Sequence, residues 1–488
     1  MENSLYLKKY GPALISVLLV IFIPYSIAFS KMITQIIPTL TISEEYSDNY
    51  LKTDINKQEE YITSYRLGFT IGFLEKNSEI YLAYNPVYKD YKNLDNRDGL
   101  LHNVSLDGKF APTRFTDLNA HVAYTSNNDN NAGESWQNIA SVFGNTRIFK
   151  NTVLDYSESY SRNFNQQERT GTYREHDINR TSAGLTHQFG KNDRVGARFL
   201  YSFDKSATAD ADDHKKYRPS VFATYWLTPL NGLDSNLYYE NTDFDTSSND
   251  IQTYSGHLRY LRKFSKHFDG YLKYRHSYSE RDTGNHTIYH PSVGFDWQVT
   301  EDSGISLGIG ALFHEWDNAN KDKTDPFLDM DAYKIFNFSR RGSLSITASS
   351  GYSEAGDSSE TASPGTGTES ASLGFRTYYQ AGAQLNYQLQ KQLSSNVFSS
   401  YRLNDYQETG VDRKDNRLTM GGGLSWLPLR WLQFRLTYTY TDFETDTTAR
   451  GDYTENRAFL SVSFIPKQPV RMDFTPSRQS LETEVFQY

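Results

Sequence analysis

The stretch Arg417–Phe443, RLTMGGGLSWLPLRWLQFRLTYTYTDF, constrains this chain more than any other. Its second half sets Leu432, Phe434, Leu436, Tyr438 and Tyr440 against Gln433, Arg435, Thr437, Thr439 and Thr441. Its first half sets Leu418, Met420, Leu424 and Trp426 against Arg417, Thr419, Gly421, Gly423 and Ser425. Strand side chains repeat every two residues, so each half is a strand with one apolar and one polar face, joined by a turn at Leu427–Arg430. Each alternation lasts about ten residues, the length a tilted strand needs to cross a bilayer.

The pattern recurs along the chain. Tyr65–Phe73, Leu118–Tyr124, Val195–Phe203, Val221–Leu227, Val293–Val299, Ile305–Phe313, Phe375–Leu389 and Ala458–Phe464 all alternate in the same way. One such segment is weak evidence, but recurrence at a spacing of about twenty residues is a barrel signature. The connections sort by parity too. Short turns such as Glu75–Ser78, Gly190–Asp193 and Arg340–Gly342 alternate with long polar stretches such as Asn127–Ser135, Ser206–Lys215 and Glu354–Ser370. The expected fold is all-β: a single transmembrane antiparallel up-and-down β-barrel of about 22 strands, with about 20–24 compatible with the pattern. Reaching an even number requires Ser135–Phe164 to be two strands, and Gly144-Asn145-Thr146 is the expected turn between them.

Composition removes the main competitors. Only 37% of the 488 residues are hydrophobic, which leaves no long apolar run for helical spans beyond the first thirty residues. Aromatic residues nevertheless reach 15%, with 37 Tyr and 29 Phe, which argues against disorder and fits interfacial girdles. The chain has no cysteine, so disulfides, thiol catalysis and a lipoprotein anchor are all excluded. A formal charge of −9 opposes nucleic-acid binding.

Residues 1–30 read as a signal peptide: Lys8 and Lys9 precede the apolar run Ala13–Ile23, and Ser26-Ile27-Ala28 follows as a cleavage site. The alternative is an uncleaved anchor, disfavoured by the short run and by Pro24. Residues 31–464 form the expected barrel. Residues 465–488, with Pro466, Pro469 and Pro476, form an expected periplasmic tail. Phe464 ends an aromatic-terminated strand and is the expected signal for the barrel-assembly machinery, in preference to Phe486 and Tyr488. The expected location is the outer membrane of a bacterial cell, with lipid around the barrel.

Two motifs carry a family resemblance. One is the proline-containing segment Ile36–Leu40 running into Ser43-Glu44-Glu45-Tyr46-Ser47-Asp48-Asn49; the other is the closing Tyr453–Phe464 followed by Pro466. In these the chain resembles the β-barrel porins associated with PEP-CTERM/exosortase systems. The resemblance implies an outer-membrane barrel, with polysaccharide export as an association.

On the polar faces, Arg66, Arg198, Arg218, Arg259, Lys273, Arg275, Arg376, Arg402, Arg417 and Arg435 are the expected lumen cations, together with Lys109 and Lys263. About four acids oppose them, Asp107, Asp204, Glu240 and Asp296; rings of Arg and Lys in a pore favour anions. Phe222, Trp226 and Tyr378 share that face and are candidates to stack on sugars. The expected function is a porin-like channel or export conduit for anionic solutes or polysaccharide. The alternatives are a non-conducting structural or assembly barrel and, further off, a secreted β-sandwich.

No enzyme, cofactor or metal site is expected. His214 beside Asp212 and Asp213, and His314 before Glu315, read as solvated surface. Gly356-Asp357-Ser358-Ser359 lacks the strand–turn–helix setting of a lipase nucleophile. His286 and His290 are four apart, which on a strand separates them by about 13 Å. Asp210–Asp213 and Asp317–Asp325 do not follow the ordered calcium-loop pattern. Gly421-Gly422-Gly423, with no helix after it, reads as a bend or close packing.

Overall fold

In a computed structural model the strands close on themselves. It describes residues 33–473, apart from 95–96, 130–132, 167–172, 207–212, 246–249, 282–283, 318–321, 354–374, 408–411, 447–450 and 467–469. The signal-peptide segment and Gly356–Ser359 lie outside the described residues. One antiparallel sheet of 24 segments contains every strand. Two pairs of segments are interrupted single staves, so the closed barrel has 22 strands. Closure comes where Ile33–Ser47 pairs with Glu60–Glu75 on one side and with Tyr453–Phe464 on the other.

Prolines explain both interruptions, since a proline has no N–H to give to a ladder. Ser78–Tyr84 and Val87–Tyr91 are separated at Asn85-Pro86. The break is stitched by Leu67 N–H donating to Pro86 O and Asn85 N–H donating to Asn103 O. At the seam, among the described residues, Phe464 pairs with Leu40 and Val470–Asp473 pairs with Ile33–Ile36. Pro38 sits opposite the gap and Pro466 lies within it. The last stave therefore runs past Phe464, into what the sequence assigned to the tail, because its break is local.

The two rims differ as expected. At one rim, hairpins close with two residues, as at Lys76-Asn77, Arg114-Phe115, Glu301-Asp302, Lys391-Gln392 and Arg430-Trp431. Several carry a register shift just before the turn. At the other rim the connections are longer. The expected turn at Gly144-Asn145-Thr146 is a correction: these residues lie inside Gly133–Phe149, and the chain turns at Lys150-Asn151. Gly144 serves close packing instead, since a Cβ there would stand 2.9 Å from the Tyr156 hydroxyl.

The apolar faces point outward. Leu237 and Leu272 are 59% exposed and Val397 is 56% exposed, although all lie mid-strand. An aromatic girdle marks the short-turn rim, with Trp431 stacked on Phe464 at 6.0 Å and Phe338 on Tyr387 at 6.1 Å. A second lies nearer the long loops, where Tyr239, Tyr254 and Tyr278 adjoin across three strands. From Phe268 to Tyr278 is about ten residues, which at the usual rise and tilt gives about 25 Å between girdles, the height of a barrel's apolar band. Leu436→Arg, in that band, is expected to cost about 2–4 kcal/mol, and the inward Thr437→Arg about 1 or less. Reversible unfolding in lipid vesicles measures both.

Candidate functional site: the barrel lumen

Register places all ten expected lumen cations on the face opposite the exposed apolar side chains. Arg66 faces Thr41, Arg402 faces Arg417, and Arg435 faces Ser425. Half the wall is neutralised by contacts between strands. Glu240 holds Lys216 at 3.3 Å and Arg218 at 3.7 Å. Asp296 pairs with Arg259, and Asp329 holds Lys273 at 3.0 Å. Histidines join in, with His121 on Asp107 at 2.7 Å and His257 on Asp234 at 3.2 Å.

The acid count is therefore a correction. Asp234, Asp329, Asp415 and Glu45 also face inward and pair with His257, Lys273, Arg413 and Arg457. Lys323–Ser339 holds the clearest missed signal, with Leu328, Met330 and Ala332 alternating against Asp329, Asp331 and Tyr333. The cationic excess is smaller than about twelve against four. It is also unevenly spread round the wall. Arg66, Arg198, Arg417 and Arg435 are exposed, and no carboxylate among the described residues pairs with them.

The inward aromatics lie flat against the wall. Tyr271 covers Gly294 and Gly308, whose Cβ atoms would stand 2.5 and 2.6 Å from its hydroxyl oxygen, so only glycine admits the ring there. The Arg259 guanidinium lies over the same ring at 3.9 Å. The three expected sugar-stacking rings have the same kind of partner. Lys263 sits 3.9 Å above Trp226, Arg194 5.9 Å from Phe222 and Arg402 5.4 Å from Tyr378. A sugar stacking on one of those faces would displace a cation, a cost the sequence does not show.

Arg275 lies over Tyr352 at 4.6 Å, beside an apolar knot of Ile288, Leu312 and Phe327. His290 is wedged there, 1% exposed, with neither ring nitrogen hydrogen-bonded. Arg376 lies opposite Tyr406 on the neighbouring strand. The backbone N–H of Ser206 donates to Asp213, next to His214. Gly421 and Gly423 pack against Phe398 and Asn396, in line with the close-packing reading.

A closed 22-stranded antiparallel barrel with an apolar belt and a charged, hydroxylated lumen defines a porin-like barrel of the outer-membrane type. Residues 356–465 match the family described as Putative beta-barrel porin 2, a similarity that covers the C-terminal part of the wall. No curated protein matches the chain. Solved structures of similar architecture include the ferric-catecholate import receptor Fiu from E. coli K12, with a TM-score of 0.56 and 10% identity over 90% of this chain and 82% of that one. The ferric enterobactin receptor PfeA from Pseudomonas aeruginosa gives 0.55 and 8%, over 90% and 82%. The siderophore receptor PirA from the same species gives 0.52 and 10%, over 88% and 80%.

Glu240→Gln removes the carboxylate shared by Lys216 and Arg218. It is expected to cost about 1–3 kcal/mol, below the usual loss for a fully buried pair because Arg218 keeps access to water. Denaturant titration of the refolded barrel measures it.

Proposed function

We propose that the chain is a passive conduit of the bacterial outer membrane whose lumen favours anionic solutes, acidic polysaccharide among them. The observation that carries this reading is the unneutralised sector around the seam, where Arg66, Arg417 and Arg435 face the lumen without carboxylate partners among the described residues. Between Arg66 and Arg435 the inward positions are Thr41, Ser43, Ser461, Ser463 and Gln433. Hydroxyl and amide groups exchange hydrogen bonds with water or sugar hydroxyls at little cost, while spaced guanidiniums attract carboxylates without fixing them at one point. A barrel of this strand number is also wide enough to leave a channel. The link to exopolysaccharide systems rests on the family resemblance together with this chemistry. The likeness to siderophore receptors is of the wall alone.

Purified protein in planar bilayers under a salt gradient tests the reading. Anions are expected to permeate more readily than cations, and Arg417→Glu with Arg435→Glu is expected to lower that preference about threefold or more. Cation selectivity in the unmodified protein would overturn the anion reading. Absence of conductance would favour a structural or assembly barrel.

A further inference from the structure

His286 opens the strand His286–Thr300, and His314 lies near the end of Ser303–Trp316. Register pairs His286 with Trp316 and His314 with Ile288, so the two imidazoles are diagonal neighbours on the inner face. They sit at the long-loop rim. Their Nε2 atoms meet in direct contact, with ring centroids 4.2 Å apart and planes at 64°. Both residues are 4% exposed, so His314 is a correction to the solvated surface expected of it from the sequence. Trp316 stacks on His286 at 4.3 Å and flanks His314 at 5.2 Å, which fixes both ring orientations. The rim beside them is acidic. Asp317 accepts from Asn285 Nδ2 at 2.7 Å, and Asp322 accepts from the Trp316 N–H at 3.2 Å. Lys323, opposite His314, is held by Asp325 at 3.3 Å.

Two ring nitrogens aimed at each other in a buried place need something between them. If both carry lone pairs they repel, and if both carry protons they repel again. Either one proton is shared or a cation accepts both lone pairs. We propose that His286 and His314 form a binding site for a borderline divalent d-block cation such as copper or zinc. Imidazole suits these ions and suits calcium or magnesium poorly. Two metal–nitrogen bonds of about 2.0–2.1 Å at a tetrahedral angle set the nitrogens about 3.3 Å apart, so the rings must draw back from their contact by about an ångström to admit the ion. Among the described residues no third His, Cys, Asp or Glu completes a cluster. The remaining positions therefore fall to water or to donor atoms of a passing solute, and the ion is exchangeable rather than structural. The site is independent of whether the lumen conducts.

The test uses the full-length barrel in detergent, stripped with chelator and given one equivalent of Cu²⁺. Electron paramagnetic resonance is expected to show coupling to two imidazole nitrogens. His286→Gln and His314→Gln, which roughly conserve volume, are each expected to leave one nitrogen. Equilibrium dialysis with Zn²⁺ is expected to show affinity falling by about tenfold or more in each variant, at least the cost of losing a supporting partner at a metal site. His257→Ala, a lumen histidine on a distant pair, should change neither readout, and heat-modified gel mobility confirms that every variant retains its barrel. Absence of a two-nitrogen signal in the unmodified protein, or its persistence in the double variant, would overturn the proposal. A pair that merely shares a proton gives the first of these results.

Discussion

Every backbone N–H and C=O that this wall exposes to lipid must find a partner within the wall, because hydrocarbon offers none. A sheet meets that demand only by closing. The meeting of Ile33–Ser47 with Tyr453–Phe464, more than 400 residues apart in sequence, is therefore the condition for all the other contacts. The outward apolar faces and the two aromatic girdles follow from it, since closure divides the side chains of each strand between lipid and lumen.

Inside, the same alternation concentrates charge in a space of limited width. The wall manages this largely by pairing across strands, with a few pairs such as Arg413–Asp415 along one. Glu240 neutralises two cations of the adjacent strand, and Asp329 reaches Lys273 across two intervening strands. Rings such as Tyr271 lie flat over glycines with a guanidinium above, so the wall is lined with layers of ring and cation instead of projecting side chains. The unneutralised arginines stand out against that background, because elsewhere the lumen has found a partner for most of its charge.

Much of this was legible in a single sequence. Period-two alternation in segments such as Leu432–Thr441 depends only on neighbours along the strand, and it correctly divides oily from wet faces. The short–long rhythm of connections gave the up-and-down topology, and the even number that such a barrel requires gave 22 strands. What depends on register between strands was hidden. Nothing in His286 or His314 alone says that their rings meet, and nothing in Asp329 names Lys273. Gly144 misled because glycine signals both turns and close packing, and only the neighbouring Tyr156 tells them apart. The acids of Lys323–Ser339 were present in a readable alternation that Pro326 and three aspartates obscured.

The gap at the seam has a further consequence. Pro38 has no N–H to give to the seam, a loss most easily borne where water can reach the backbone. Its neighbours, the stacked Trp431 and Phe464, are residues that favour the boundary between acyl chains and headgroups. The prolines thus mark a waterline for one leaflet, independent of any hydropathy scale. The short ladder of Ile33–Ile36 with Val470–Asp473 stands on its aqueous side and carries the seam beyond the apolar belt.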